Sequence, residues 1–160
     1  MEKLEYTIIV AQEDPDTADA RALLEELSAA LAGITGSSGR ASFDLRDVRG
    51  AAARFVVARD GAGAALGCGA LRPLAGQDGV AELKRMYARP GGGGGVGSAI
   101  LAALEAEAAA LGYRALWLET RQVNARAVAF YQARGYRRIA NYGNYAGNAL
   151  AACFEKLLMS

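Results

Sequence analysis

The chain has no histidine among its 160 residues. That absence excludes a Ser-His-Asp triad, a Cys-His pair and any histidine-based zinc site. Acid–base work near neutral pH must fall to carboxylates, tyrosine, a thiol, an amine or water. Cysteine is scarce: Cys68 and Cys153 cannot form a metal cluster alone, so no metal is expected. They read as reduced, small core residues. Long apolar runs are missing as well. The longest candidate, 99–118, is broken by Glu105, Glu107 and Arg114, and a membrane span needs roughly 20 apolar residues. The opening MEKLEYTIIV is acidic and lacks a signal-peptide apolar stretch, which points to the cytoplasm. Neither sign of charge dominates, with 18 Lys and Arg against 17 Asp and Glu. Nothing therefore predicts a nucleic-acid or membrane partner.

What is present suits a single domain, 1–160, without repeats or linkers. Apolar residues make up 52%, many of them alanine, which predicts close helix and strand contacts rather than a large aromatic core. Residues 5–10 read as a strand. Asp14, Asp16 and Thr17 offer helix caps, and Ala20, Leu23, Leu24, Leu27 and Leu31 follow three-and-four spacing, predicting a helix to about residue 32. GITGSSGR reads as a flexible loop, and 43–48 has no clear pattern. Strands are expected at 54–59, 65–74 and 80–88. The Asp60-Gly61 turn and AGQDG join them into an antiparallel meander. Pro90 and a glycine run then lead into a helix to about residue 111. Strand 115–120, helix 124–134 and strands 136–140 and 149–158 follow, the last two joined by NYGNYAGN.

The glycine run is Gly91, Gly92, Gly93, Gly94 and Gly95, followed by Val96, Gly97 and Ser98. Glycine-rich backbone ahead of a helix suits an anion, because the first helical N–H groups lack internal partners and carry partial positive charge. A pyrophosphate could sit there. A Walker A loop is excluded, since no lysine precedes Ser98. Gly92, Gly94 and Gly97 formally meet the dinucleotide pattern GxGxxG. That fold needs repeated βαβ units, whereas an antiparallel meander precedes this loop. A merely flexible loop is the remaining alternative, although ordering five glycines costs entropy.

Three stretches together resemble the GNAT superfamily of N-acetyltransferases. AELKRMYARP running into GVGSAILAALEAEAAALGY is similar to its cofactor strand, loop and helix. ALWLETRQVNARAVAFYQARGYRRI is similar to its next strand and helix, with an Asn, an Ala, a Phe-Tyr pair and a Gly-Tyr. The preceding meander comes in the expected order. One departure stands out: the family usually has Arg or Gln before the first loop glycine, and here Gly92 occupies that place.

The resemblance implies an acetyl-CoA-dependent N-acetyltransferase with an α/β (α+β) fold. The expected sheet is mixed, mostly antiparallel, with six or seven strands and helices on both faces. Its split should lie between two central parallel strands, 80–88 and 115–120. Acetyl-CoA would be the co-substrate, held by Met86, Tyr87 and Ala88, by Gly92 to Ser98 as numbered above, and by Asn124 and Tyr131. A bulge would free a backbone N–H near Met86 or Tyr87 to stabilise the oxyanion. An amine with a pKa of roughly 10.4 must lose a proton before it attacks. Glu82 is the candidate base, directly or through water; the competing reading is a surface strand glutamate paired with Lys84 or Arg72. Tyr131 is the candidate acid for the leaving thiolate, with a core aromatic as its alternative. Asn124, seven residues earlier, shares its helix face. Lys84 and Arg85 could be solvated charges or lie near substrate or phosphate. Tyr142, Asn144 and Tyr145 could shape the acceptor pocket or serve only the turn. Trp117 reads as core. Small amines, amino acids, antibiotics and protein amines all remain open as acceptors, and dimers are common in the family. A non-catalytic acetyl-CoA sensor is the alternative, motivated by the missing Arg or Gln.

Overall fold

The computed structural model describes residues 7–38 and 43–158. In chain order the elements are β1 (Ile9–Gln12), α1 (Ala18–Thr35), β2 (Arg54–Arg59), β3 (Ala65–Pro73), β4 (Val80–Ala88), α2 (Val96–Ala110), β5 (Ala115–Arg121), α3 (Ala125–Ala133), β6 (Arg137–Ile139) and β7 (Ala151–Leu157). They form one seven-stranded sheet in the order β1-β2-β3-β4-β5-β7-β6. The β4–β5 pair is parallel and the other five pairs are antiparallel.

Alternation along β2 explains the layering. Phe55 and Val57 pack on one face with Ala20 and Leu23 of α1. Val56 and Ala58 pack on the other with Ile100 and Leu104 of α2. Strand side chains alternate between faces, so a strand buried on both sides needs a helix on each. Two glycines of β3 let α2 sit close. A Cβ on Gly69 would lie 2.7 Å from Ile100 Cγ2 and 2.9 Å from Leu104 Cδ1, and one on Gly67 would lie 3.0 Å from Ile100 Cδ1 and 3.1 Å from Val96 Cγ1.

Helix α1 starts where expected, with Thr17 Oγ1 accepting from the Ala20 N–H at 3.2 Å. It ends later than its spacing predicts. It runs through Gly33, and Gly36 takes the left-handed cap with φ 80°. A glycine inside a helix costs about 1 kcal/mol relative to alanine. The extra turn adds Thr35 to Leu27 and Leu31, a row at i, i+4 and i+8 that borders the central cleft. The expected first strand begins later, at Ile9, and its residues 5 and 6 lie outside the described residues, as do 39 and 40 of the expected loop. The patternless stretch at 43–48 holds a 3-10 turn, Leu45–Val48, capped by Asp44. Among the described residues, no helix is long and apolar enough to cross a membrane.

Candidate active site

Strands β4 and β5 pair only through Val80, Ala81 and Glu82 with Ala115, Leu116 and Trp117. Beyond that point they part, and a cleft of about 180 Å³ opens between them. Residues 83–86 of β4 and 118–121 of β5 form its two sides. Helix α1 adds Leu27, Leu31 and Thr35, and the α3 region adds Asn124, Ala127 and Tyr131. Tyr145 lines it as well. The parting of two parallel strands is the split expected from the sequence.

A bulge helps to make it. Between Cys68 and Ala70, β3 advances two residues while β4 advances three, from Tyr87 to Lys84. The extra residue bends the strand. Arg85 absorbs the bend with φ 57°, a left-handed value unusual for a residue with a Cβ. Such strain costs about 1–3 kcal/mol and persists only where the surroundings hold it. Here the Arg85 guanidinium donates to Ser28 Oγ at 2.5 Å and to the Leu24 and Ser38 carbonyls at 3.3 Å. The Phe43 ring lies 5.6 Å from it. Helix α1 thus fixes the bulge. Met86 borders the cleft, while Tyr87 turns to α1 and donates its hydroxyl to Glu26 at 3.2 Å. Ala88 pairs with Gly67 at the strand end.

The glycine loop follows directly. Gly91, Gly93 and Gly95 all have φ near +80 to +90°, specifically 80°, 88° and 87°. Gly95 is the N-cap of α2 and makes no side-chain cap bond. Val96 is 2% exposed and faces the core, so only its backbone can meet a ligand. Gly92 and Gly94 complete the turn without a side chain between the backbone and an incoming anion. Phe130 leans over Gly97, where a Cβ would lie 3.3 Å from the ring. From α3, Arg134 reaches the same turn. Its Nε and Nη2 donate to Ser98 Oγ at 3.0 and 2.5 Å, and its guanidinium carbon lies 3.7 Å from the Phe130 ring centroid. Sequence reasoning missed Arg134. The signal was its place directly before Gly135, where a long side chain can fold back along its own helix.

Tyr131 is buried, edge-on to Phe130 at 5.1 Å and to Tyr136 at 5.5 Å between centroids. Burial pushes its phenol well above the ordinary value, so it stays protonated. Asn124 caps α3, its Oδ1 accepting from the Ala127 N–H at 3.3 Å. Both residues border the cleft.

Two carboxylates on these strands sit in different surroundings. Glu82 is 2% exposed rather than on the surface. Its Oε1 accepts from Arg72 Nε and Nη2 at 3.0 and 2.9 Å, and its Oε2 accepts the Tyr142 hydroxyl at 2.6 Å. Both oxygens are engaged, and Glu82 borders a neighbouring pocket with Asp47 and Asn144 rather than the split. Arg72 rather than Lys84 is its partner. Trp117, next to it across the strands, is half-buried, lies 5.1 Å from Tyr142 and donates to Glu155 at 2.8 Å.

Strand alternation carries Trp117, Glu119 and Arg121 to that same face, while Leu116 and Leu118 face the α2 core. The Glu119 side chain is only 10% exposed. Its Oε2 is buried without a hydrogen bond, as is Arg121 Nη1. The two side chains approach no closer than 3.7 Å, Nε to Oε2. Burial, opposed by Arg121 and Lys84, raises the Glu119 carboxyl above its usual range. Burial also lowers the Lys84 ammonium, whose Nζ donates to the Tyr145 hydroxyl at 3.0 Å. Burial pushes the Tyr145 phenol up to about 12. The two thiols are poor nucleophiles here: burial pushes Cys68 up to about 12 and raises Cys153. Glu119 and Arg121 were missed by sequence reasoning, although the alternation W-x-E-x-R was visible.

The chain is similar to known proteins. The model of the acetyltransferase (GNAT) family matches residues 18–136. The chain is 33% identical over 152 residues to the IAA acetyltransferase of Azospirillum brasilense, covering 94% of this chain and 98% of that one. A candidate acyl-CoA N-acyltransferase of Klebsiella pneumoniae superposes with a TM-score of 0.80 at 30% identity, over 97% of this chain and 99% of that one. A GNAT-family acetyltransferase of Staphylococcus aureus gives a TM-score of 0.75 at 15% identity, over 96% and 100%, a likeness of fold alone.

Proposed function

The chain belongs to the GNAT acetyltransferase family and is an acyltransferase; from that premise we propose that it carries the acetyl group of acetyl-CoA to a primary amine, of a small molecule or a protein, by direct attack within a ternary complex. The observation that carries this reading is the parting of β4 and β5 after three paired positions, with the glycine loop and the start of α2 at the open end. The residues present fit the co-substrate. Three left-handed glycines and an N-cap without a side-chain bond leave backbone N–H groups free to approach a pyrophosphate. The freed edge of β4 at Met86, Tyr87 and Ala88 suits the pantetheine arm. Arg134 supplies the cationic side chain that Gly92 lacks, which argues for a working site over a degenerate sensor.

The chemistry asks for a proton acceptor near the amine and a donor near the sulfur. We assign the first role to Glu119 rather than Glu82. A base needs an available oxygen in the cleft, and Glu82 has given both of its oxygens to Arg72 and Tyr142. Glu82 instead positions the loop that carries Tyr142 and Tyr145. Glu119 has an unbonded oxygen, and its raised pKa makes it a stronger base. Tyr131 protonates the departing thiolate. Burial raises the phenol, and desolvation likewise disfavours a thiolate left in the cleft, which favours its protonation. The bulge at Arg85 turns the nearby β4 backbone toward the split as the oxyanion donor.

Calorimetric titration with acetyl-CoA, with NADH and ATP as controls, tests the class. Micromolar binding of acetyl-CoA alone is expected. Preference for a dinucleotide, or no binding, would overturn it.

A further inference from the structure

The acceptor face of the cleft has a charge pattern that selects among amines. Glu119 and Arg121 stand two residues apart on β5, on the face toward α1 and the Tyr145 loop. Each holds a buried polar atom without a hydrogen bond, an acceptor on Glu119 and a donor on Arg121. At 3.7 Å they are near enough to attract and too far to satisfy one another. Lys84 faces the same space from β4 and is already tied to the Tyr145 hydroxyl. A buried polar group is costly until it is hydrogen-bonded. A ligand that meets both carries a donor and an acceptor a few bonds apart, and the opposite charges of Glu119 and Arg121 favour a cationic donor and an anionic acceptor.

Resting on the acetyl-transfer reading above, we propose that the acceptor is a small zwitterion of amino-acid type, whose ammonium meets Glu119 and whose carboxylate meets Arg121. The ammonium hands one proton to Glu119, leaving R–NH2 and a neutral carboxylic acid. The amine nitrogen then forms the bond to the acetyl carbon as the carbon–sulfur bond breaks; Tyr131 gives its phenol proton to the departing thiolate, the nitrogen releases its second proton, by way of solvent, to restore the phenol, and Glu119 returns its own proton to solvent. Arg121 holds the carboxylate throughout and takes no part in proton transfer; it is a positioning residue. A polyamine would bring further positive charge against Lys84 and Arg121. A simple alkylamine would leave the Arg121 donor unmet.

The test pairs free amino acids with their decarboxylated amines, their amides and a set of polyamines, followed by thiol release from acetyl-CoA. Amino acids should exceed their decarboxylated partners by tenfold or more in kcat/KM. Arg121→Met should collapse that ratio toward one, chiefly through KM, and Arg121→Lys should restore part of it. Acetyl-CoA titration of each variant reports whether the cleft is intact. Decarboxylated amines or polyamines used as well as amino acids, or an unchanged ratio in Arg121→Met, would overturn the proposal while leaving acetyl transfer standing. So would acetyl-CoA binding with no amino acid acetylated. Failure to bind acetyl-CoA would instead strike the functional reading beneath it.

Discussion

The closed and open ends of the β4–β5 pair treat their glutamates in opposite ways. At the closed end, Glu82 and Trp117 are side by side in register, and every oxygen of Glu82 is engaged by Arg72 or Tyr142. At the open end, two residues further along β5, Glu119 lies in the cleft with a buried oxygen unbonded. Both carboxylates are buried on strands and face the same side of the sheet. What separates them is the point where the strands part. Before it, neighbours are close enough to saturate a charge; after it, the space is kept for a ligand.

The comparison is broken most directly by removing each charge in turn. Glu119→Gln should lower kcat about 10²–10⁴-fold, the usual range for a lost acid–base group. It should also erase the acid limb of the pH–rate profile, since Glu119 must be ionised to act. Its effect on stability has the opposite sign. Because burial raises its pKa above 4.5, the folded protein holds this proton more tightly than the unfolded chain. That contribution is fullest below the unfolded value and is lost as pH rises through the folded one. The Gln variant should thus melt no lower than the parent at neutral pH. Glu82→Gln should do the reverse: a loss of about 1.5–3 kcal/mol in denaturant unfolding, because Arg72, which keeps its ion pair with Asp47, loses its charge-assisted bonds to Glu82. Full activity in Glu119→Gln, or unchanged stability in Glu82→Gln, would dissolve the contrast.

Smaller effects sharpen it. Tyr131→Phe should lower kcat about tenfold or more while leaving acetyl-CoA affinity in place; equal turnover would remove the phenol from the mechanism. Arg134→Ala should weaken CoA binding about tenfold, ~1.4 kcal/mol, with a reduced salt dependence. Pantetheine, which lacks the pyrophosphate, should bind both forms alike, and an equal loss for pantetheine would mean that Arg134 serves only to pack Phe130.

Much of the architecture is legible in the sequence. Strands at 54–59 and 80–88 match residue for residue, because each is a short run free of Gly and Pro that is bounded by an Asp-Gly turn signal. The glycine loop, α2 and the Phe-Tyr pair of α3 were legible for the same local reasons. The end of α1 was misplaced because Gly33 reads as a stop, whereas packing of Leu31 and Thr35 at the cleft carries the helix on to Gly36. Glu82 drew attention in the sequence because it lies on the strand that leads into the loop. Its partner Tyr142 stands 60 residues away in the chain, and no local pattern discloses that bond.

The sequence by itself determined the order of elements, the family and the backbone cradle for an anion, since these follow from periodicity, turn residues and glycine conformation within short windows. Only the tertiary structure decided which carboxylate is saturated and which is free, and that Arg134 stands at the mouth of α2. Those outcomes depend on where two parallel strands separate and on which side chains from distant segments arrive there, and a hydrogen bond forms or fails over less than an ångström.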